Sequence, residues 1–118
     1  MTTARDRVLL HLSDGLRRVV DPDEVYYLEA KGGESLIRLR SAKPLADVCE
    51  YGEAAPLFEP RGFLRISREA TVDLRRIRDI RICPSGRHWE VMLEPSVNRE
   101  LPVSRSALSA LWGAFEMG

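Results

Sequence analysis

The sequence predicts a mainly β domain with a short internal helix and a second helix at its C-terminal end. Most of its apolar residues fall in short runs with a period near two, which is typical of strands. Clusters of Gly, Pro, Asp and Ser separate those runs and mark turns. Two longer stretches instead space their apolar residues by three and four positions, as amphipathic helices do.

Two β-hairpins are predicted in the N-terminal part of the chain. Residues 7–12 form a β-prone run that ends at the turn residues 13–15, and residues 16–20 resume the strand. Residues 25–30 and 35–40 form the second pair of strands, joined by a turn that is rich in glycine. We therefore expect local antiparallel pairing in this part of the chain.

The internal helix is predicted within residues 44–57. Leu45 and Val48 lie on one helical face, and Pro44 suits the first turn because proline needs no backbone donor there. Pro56 is expected to limit the end of this helix.

The C-terminal half is predicted to contain further short strands and the second helix. The strands lie at residues 63–66, 70–73, 77–82 and 89–93. Within 77–82 the isoleucines should face one side of the sheet and the charges the other. Residues 95–98 are predicted to turn. Ser104 is a good N-cap for a helix whose apolar face consists of Leu108, Leu111, Trp112 and Phe115.

The length of 118 residues predicts a single domain over 1–118, with one core at about 7–115. No apolar run approaches the ~20 residues that a membrane-spanning helix needs, so no membrane insertion is expected. The first residues do not resemble a signal peptide, and we expect a cytoplasmic protein.

The sequence offers no catalytic or metal-binding pattern. Cys49 and Cys83 form no CxxC motif and have no neighbouring histidine in sequence, so they are predicted to be buried small residues rather than ligands or a disulfide. His11 and His88 lie far apart, and no serine lies in a nucleophile-elbow motif. We therefore expect neither a cofactor nor an enzymatic activity.

The charges balance in number but not in position. Eighteen basic and eighteen acidic residues give a net charge of zero, whereas a nucleic-acid binder usually carries an excess of basic residues. Between residues 61 and 81, however, seven arginines face three acidic residues, and the acids concentrate at 21–29 and 47–59. A neutral total can therefore hide a surface with one basic side.

Three predicted turn segments carry small polar and basic side chains, at residues 29–35, 63–73 and 101–105. Arginine reads guanine in the major groove through its bidentate fork, and serine, lysine and helix N-termini suit phosphates. Taken singly, Arg68 and Arg105 are better explained as ordinary solvated charges.

The order and spacing of these segments resemble the LytTR DNA-binding domain, which is found at the C-terminus of many bacterial response regulators. Residues 23–32, DEVYYLEAKG, are similar to the family's D-D-I-x-Y-I-E-A-x-G. Residues 63–73, FLRISREATVD, are similar to its F-x-R-I-H-R-S-Y-I-V-N, and residues 101–106, LPVSRS, to its L-P-V-S-R-R. The resemblance spans residues 7 to 115.

The resemblance implies a LytTR-like elongated stack of small antiparallel sheets. It also implies that loops, rather than a recognition helix, enter successive major grooves from one side of bent DNA. Carried over by position, Gly33 or Glu34, Arg68 and Arg105 would read bases. Backbone or supporting contacts would come from Lys31, Arg65, Ser67 and Ser104.

The resemblance further implies transcriptional regulation, as the output domain of a two-component system. Members of the family usually bind direct-repeat promoter sites with two copies on one DNA, which would make a homodimer on DNA. The chain contains no receiver domain. It is therefore expected to be either an excised domain or a standalone regulator controlled by a protein partner.

The sequence departs from the family pattern at several places. Ser67 stands where His is usual, Glu69 where Ser is usual and Asp73 where Asn is usual, while Gly33-Glu34 replaces an Asn-Tyr pair. Added acid near phosphates lowers affinity. A different operator is one explanation, because glutamate can accept a hydrogen bond from cytosine N4. The other is a LytTR-fold interaction module with weak or no DNA binding.

Overall fold

Three antiparallel sheets and two short α-helices make up the part of the chain described by this computed structural model, residues 7–40, 43–94 and 100–115. The strands are β1 (Val8–His11), β2 (Arg17–Val20), β3 (Val25–Lys31), β4 (Glu34–Leu39), β5 (Leu45–Asp47), β6 (Phe63–Arg65), β7 (Ala70–Asp73), β8 (Ile77–Ile82), β9 (Trp89–Leu93) and β10 (Glu100–Val103). The helices are α1 (Tyr51–Phe58) and α2 (Leu108–Ala114), and single 3-10 turns lie at Pro22–Glu24, Glu59–Arg61, Leu74–Arg76 and Arg105–Ala107. The mainly β prediction is confirmed.

A five-stranded sheet in the order β5-β4-β3-β7-β6 forms the centre of the molecule. Its middle strand β3 is buried on both faces, which explains its run of apolar and aromatic residues. Val25 and Leu28 face one core, whereas Tyr26 and Tyr27 face the other. A register shift between Val25 and Tyr27 lets both tyrosines reach the same side.

The first core lies between one face of this sheet, the β1–β2 hairpin and α1. Its largest fully buried side chains are Leu10, Leu28, Ile37 and Phe58. Phe58 of α1 meets Phe63 of β6 edge to face, with their ring centroids 5.1 Å apart.

The second core lies on the opposite face, against the three-stranded sheet β10-β9-β8 and α2. Ile66, Val91, Leu93 and Leu111 are almost completely buried there. The chain thus stacks small sheets on both sides of a central one, and its extents are 44 × 35 × 26 Å.

The predicted internal helix is wrong in its first half. Residues 45–47 form β5, which pairs with β4 through Ser35↔Asp47 and Ile37↔Leu45, and the helix begins only at Tyr51. Apolar spacing over so few residues does not distinguish a helix from a short edge strand, and pairing with β4 decides the outcome. Pro56 lies inside the helix rather than at its end.

The isoleucines of β8 share one face of the sheet, as predicted, but they do so because of a register shift that the sequence does not reveal. Ile77, Ile80 and Ile82 pair with Leu93, Val91 and Trp89, so they share a face. Their unequal spacing is absorbed by a register shift between Ile77 and Asp79. Ile82 nevertheless remains half exposed because it lies at the end of the sheet.

The C-terminal helix is shorter and less buried than predicted. A 3-10 turn at Arg105–Ala107 precedes α2, and Ser104 occupies the N-cap position of that turn without making a side-chain capping bond. Leu111 is fully buried, but Trp112 and Phe115 are 44% and 42% exposed. The predicted turn at 95–98 lies outside the described residues. None of the helices described is long and apolar enough to cross a membrane.

Candidate nucleic-acid interface

The three segments singled out in the sequence lie at one end of the central sheet. Glu29 pairs with Ala70, so the β3–β4 turn and the β6–β7 loop leave the sheet on the same side. The Ala30 amide donates to the Glu69 carbonyl at 2.9 Å, and the Ser104 amide donates to the Ile66 carbonyl at 2.7 Å. Backbone hydrogen bonds therefore join all three segments, which we call the loop end.

The β3–β4 turn projects beyond the point where β3 stops pairing with β7. Lys31 pairs with Glu34, so only Gly32 and Gly33 form the turn. Gly32 has a φ of +62°, a conformation that glycine adopts without strain. The tip extends about 7–10 Å past Ala30, at roughly 3.3 Å per residue. Lys31, Gly33 and Glu34 are all exposed at this tip.

The β6–β7 loop is stiffened by Ser67. Its hydroxyl accepts hydrogen bonds from the Glu69 amide at 3.0 Å and the Ala70 amide at 3.1 Å. Serine side chains favour tight turns in this way. Ser67 therefore shapes the loop, and the neighbouring Arg68 is left exposed at its tip.

Tyr51, at the start of α1, supports this loop from below, a role that the sequence did not indicate. Its hydroxyl lies 2.5 Å from Thr71 Oγ1 and donates to the Ser67 carbonyl at 3.3 Å. The Arg65 guanidinium lies over its ring, 4.8 Å from the centroid. Burial raises the pKa of Tyr51, so the hydroxyl remains protonated and able to donate.

The third segment lies beside the β6–β7 loop and forms a groove with it. The groove has a volume of about 340 Å³ and is lined by Arg65, Ser67, Arg68, Ser104, Ser106, Ala107 and Ala110. Four of the eight predicted site residues thus meet in one groove. Arg105 is exposed but lines a different pocket, next to Trp89.

Three basic side chains at the loop end have no acidic partner among the residues that the structure describes. Within the described ranges, Lys31, Arg68 and Arg105 make no ion pair and no side-chain hydrogen bond. Two of the acids noted in the sequence, Glu34 and Glu69, are exposed there. They are not paired with these bases.

Asp73 was wrongly grouped with those acids. Its side chain is completely buried at the far end of β7, and it accepts hydrogen bonds from the Arg75 amide at 2.9 Å and from the Arg75 guanidinium. Removing the partners of a carboxylate buried in this way would destabilise the fold, and Asp73 lies at the end of β7 away from the loop end. Of the acids at which the sequence departs from the family pattern, only Glu34 and Glu69 are exposed at the loop end.

One cysteine has a histidine neighbour that the sequence spacing concealed. Cys83 Sγ lies 2.9 Å from Ser85 Oγ and 3.3 Å from His88 Nδ1. The hydrogen bond from Ser85 lowers the pKa of the Cys83 thiol to about 7. Both cysteines are free thiols, and Cys83 is buried as predicted, whereas Cys49 is only half-buried.

A family model and a solved structure both match this chain. A family model, described as the LytTr DNA-binding domain, matches residues 16–116. Among solved structures, the LytTr DNA-binding domain of a Bacillus cereus protein superposes with a TM-score of 0.74 at 21% sequence identity. The match covers 95% of this chain and 98% of that chain. A search of curated proteins gave no match.

Proposed function

We propose, because the chain belongs to the LytTR family of DNA-binding domains, that it binds specific sequences of double-stranded DNA through its loop end. The observation that carries this proposal is the convergence of three turns with three basic side chains, Lys31, Arg68 and Arg105, none of which is paired with an acid of the described residues. Loops on a stiff scaffold are where recognition residues commonly lie. The family is a DNA-binding one, and we propose no catalytic activity.

Base reading is assigned to exposed residues at the tips of the loops and at the start of the last 3-10 turn. Arg68 and Arg105 would each present a fork to guanine O6 and N7 in the major groove. At the projecting tip, Gly33 would allow close approach of the backbone, and Glu34 would accept a hydrogen bond from cytosine N4. In this assignment the exposed Glu34 helps to determine which DNA sequence is preferred.

Phosphate contacts are assigned to residues closer to the sheet. Lys31, Arg65, Ser67 and Ser104 would contact the DNA backbone or support the residues that do. Arg65 is already held over Tyr51, and the Ser67 hydroxyl is already engaged in its turn, which favours a supporting role for both. Lys31 and Ser104 remain for direct phosphate contact.

The regulatory role rests on the family. A bacterial regulator acting on DNA in the cytoplasm, as the output domain of a two-component system, fits a domain of this kind. The Bacillus cereus protein is described as a methyl-accepting/DNA response regulator. We propose that two copies bind direct-repeat sites and that a protein partner supplies the signal.

Selection from a random duplex library at low salt tests the proposal. We expect one motif to be enriched and its affinity to fall steeply as salt is added, because released counterions drive the binding. Arg68→Ala and Arg105→Ala should each cost about 1–3 kcal/mol on that motif. Arg78→Ala is the matched control, since Arg78 is exposed on β8 and paired with Asp79 outside the loop end.

A second candidate function is a protein-interaction module that kept this fold and lost DNA binding. The exposed carboxylates Glu34 and Glu69 favour it, because acid near phosphates lowers affinity for DNA. If the selection enriches nothing at low salt, this second function replaces the first.

A further inference from the structure

A pocket separate from the groove lies between the β8–β9 turn and the start of the last 3-10 turn. Its volume is about 220 Å³. Its lining is both apolar and cationic and includes Ile82, Arg87, His88, Trp89, Arg105 and Leu108. Small-molecule sites typically combine apolar walls with a few placed polar groups.

The charges around this pocket select for an anion. Arg87 and Arg105 line it, and none of the described residues along it carries a carboxylate. Arg87 and Arg105 make no ion pair with any acid of the described ranges. A guanidinium binds a carboxylate with two parallel hydrogen bonds, so a carboxylate is the ligand group that fits best.

The apolar wall selects for a ring. Trp89 meets Trp112 edge to face with centroids 5.0 Å apart, so its indole is held in place beside the pocket. Ile82 is 51% exposed, which leaves apolar surface for a ligand to cover. The small volume limits the ligand to about one ring.

The turn that forms one wall is already ordered. The Cys83 amide donates to the His88 carbonyl at 2.9 Å, and the Gly86 amide donates to the Cys83 carbonyl at 2.8 Å. The contact between Cys83 Sγ and His88 Nδ1 helps to hold the histidine ring in place. A preformed wall lowers the entropic cost of binding a small ligand.

We infer that this pocket binds a small carboxylate bearing a single aromatic ring, and that the ligand competes with DNA for Arg105. The competition rests on the proposed function, in which Arg105 reads a base. The carboxylate would form hydrogen bonds with the Arg105 guanidinium. The guanidinium could not then form bidentate hydrogen bonds with guanine.

Benzoate is the probe for the binding step. Titration of the full chain, followed through the indole N–H signals of Trp89 and Trp112 by NMR, should give a saturable shift with a dissociation constant on the order of 1 mM. Arg87→Ala and Arg105→Ala should each weaken binding about tenfold, the effect of one charge-assisted hydrogen bond. Arg18→Ala, on the exposed face of β2, should leave it unchanged.

Two further ligands test the chemistry assigned to the pocket. Benzyl alcohol lacks the charge and acetate lacks the ring, and both should bind at least tenfold more weakly than benzoate. Equal binding of benzyl alcohol would overturn the role of the arginines. The absence of a saturable benzoate shift up to about 20 mM would overturn the site itself.

The competition is measured on the duplex enriched by selection. About 10 mM benzoate should lower its apparent affinity about tenfold, and acetate at equal ionic strength should not. An unchanged affinity despite benzoate binding would overturn the competition. If benzoate binds but no duplex is enriched, the proposed function fails and the ligand site stands. If a duplex is enriched but benzoate causes no shift, the ligand site fails and the proposed function stands.

Discussion

Two groups of arginines flank β7, and they differ in what surrounds them. Arg68 lies two residues before the strand, exposed at the tip of its loop. Arg75 and Arg76 lie just after it, where the Asp73 carboxylate is 3.1 Å from Arg75 Nη2 and 3.8 Å from Arg76 Nε. Asp23 Oδ1 also lies 2.7 Å from Arg75 Nη2. The carboxylates of Asp73 and Asp23 together raise the pKa of Arg75.

A chain without net charge can therefore still present a basic surface. At the end of β7 that carries Asp73, acids neutralise arginines that hold the fold together. At the loop end, the bases have no such partners among the described residues. The net charge of zero therefore says little about affinity for DNA, because affinity depends on local rather than total charge.

The largest effect is expected from removing the charge on Asp73. Asp73→Asn should lower the free energy of unfolding by about 2 kcal/mol, because its buried carboxylate accepts charged hydrogen bonds. Urea denaturation measures this, with Asp79→Asn as the matched control. Asp79 is half exposed and paired with Arg78, so its change should cost less than about 1 kcal/mol. Equal losses in the two variants would remove the distinction between the groups.

The free energies of unfolding of Arg76→Ala and Arg68→Ala should also differ. Arg76 is only 16% exposed, lies 4.9 Å from the Tyr26 ring centroid and donates to the Asp23 carbonyl. Its loss should cost about 1.5–2 kcal/mol of stability. Arg68→Ala should change stability by less than about 0.5 kcal/mol, as is usual for an unpartnered surface residue. A destabilised Arg68 variant would mean that the loop end is structural too.

The loop end should owe its own stability to neutral groups. Tyr51→Phe and Thr71→Val should each cost about 1 kcal/mol, because each leaves a buried hydroxyl without its partner. The double variant should lose less than the sum, and the difference measures the Tyr51–Thr71 interaction. Strictly additive losses in urea denaturation would show that the two hydroxyls act independently.

The smallest effect concerns Lys31. Lys31→Ala should weaken binding to all duplexes alike and reduce the slope of log affinity against log salt by about 1. Titrations at several salt concentrations measure the slope, and Lys43→Ala, an exposed lysine ahead of β5, is the control. A loss of affinity confined to one motif would instead make Lys31 a base-reading residue.

Local patterns predicted much of this fold. The hairpins and the position of the Gly32 turn follow from turn chemistry and period-two alternation, which act over a few residues. The three family-like segments singled out the loops that backbone hydrogen bonds join at the loop end. The resemblance did not indicate that Arg105 lines a different pocket from Arg68.

What the sequence could not predict depends on contacts between distant residues. Leu45–Asp47 form a strand because they pair with the edge of β4. Asp73 is buried where it caps the Leu74–Arg76 turn. The support of the β6–β7 loop by Tyr51 joins residues 16 and 20 positions apart. No local pattern encodes such contacts.

The edges of the sheets have a consequence for behaviour in concentrated solution. The central sheet ends in strands of three residues, β5 and β6, on both sides. At the edges of the smaller sheet, β10 carries Pro102, which lacks an amide donor, and β8 carries a register shift and charged residues. Such edges offer little backbone for another copy to pair with. A protein without net charge lacks electrostatic repulsion between molecules, and these edges provide a separate barrier to aggregation.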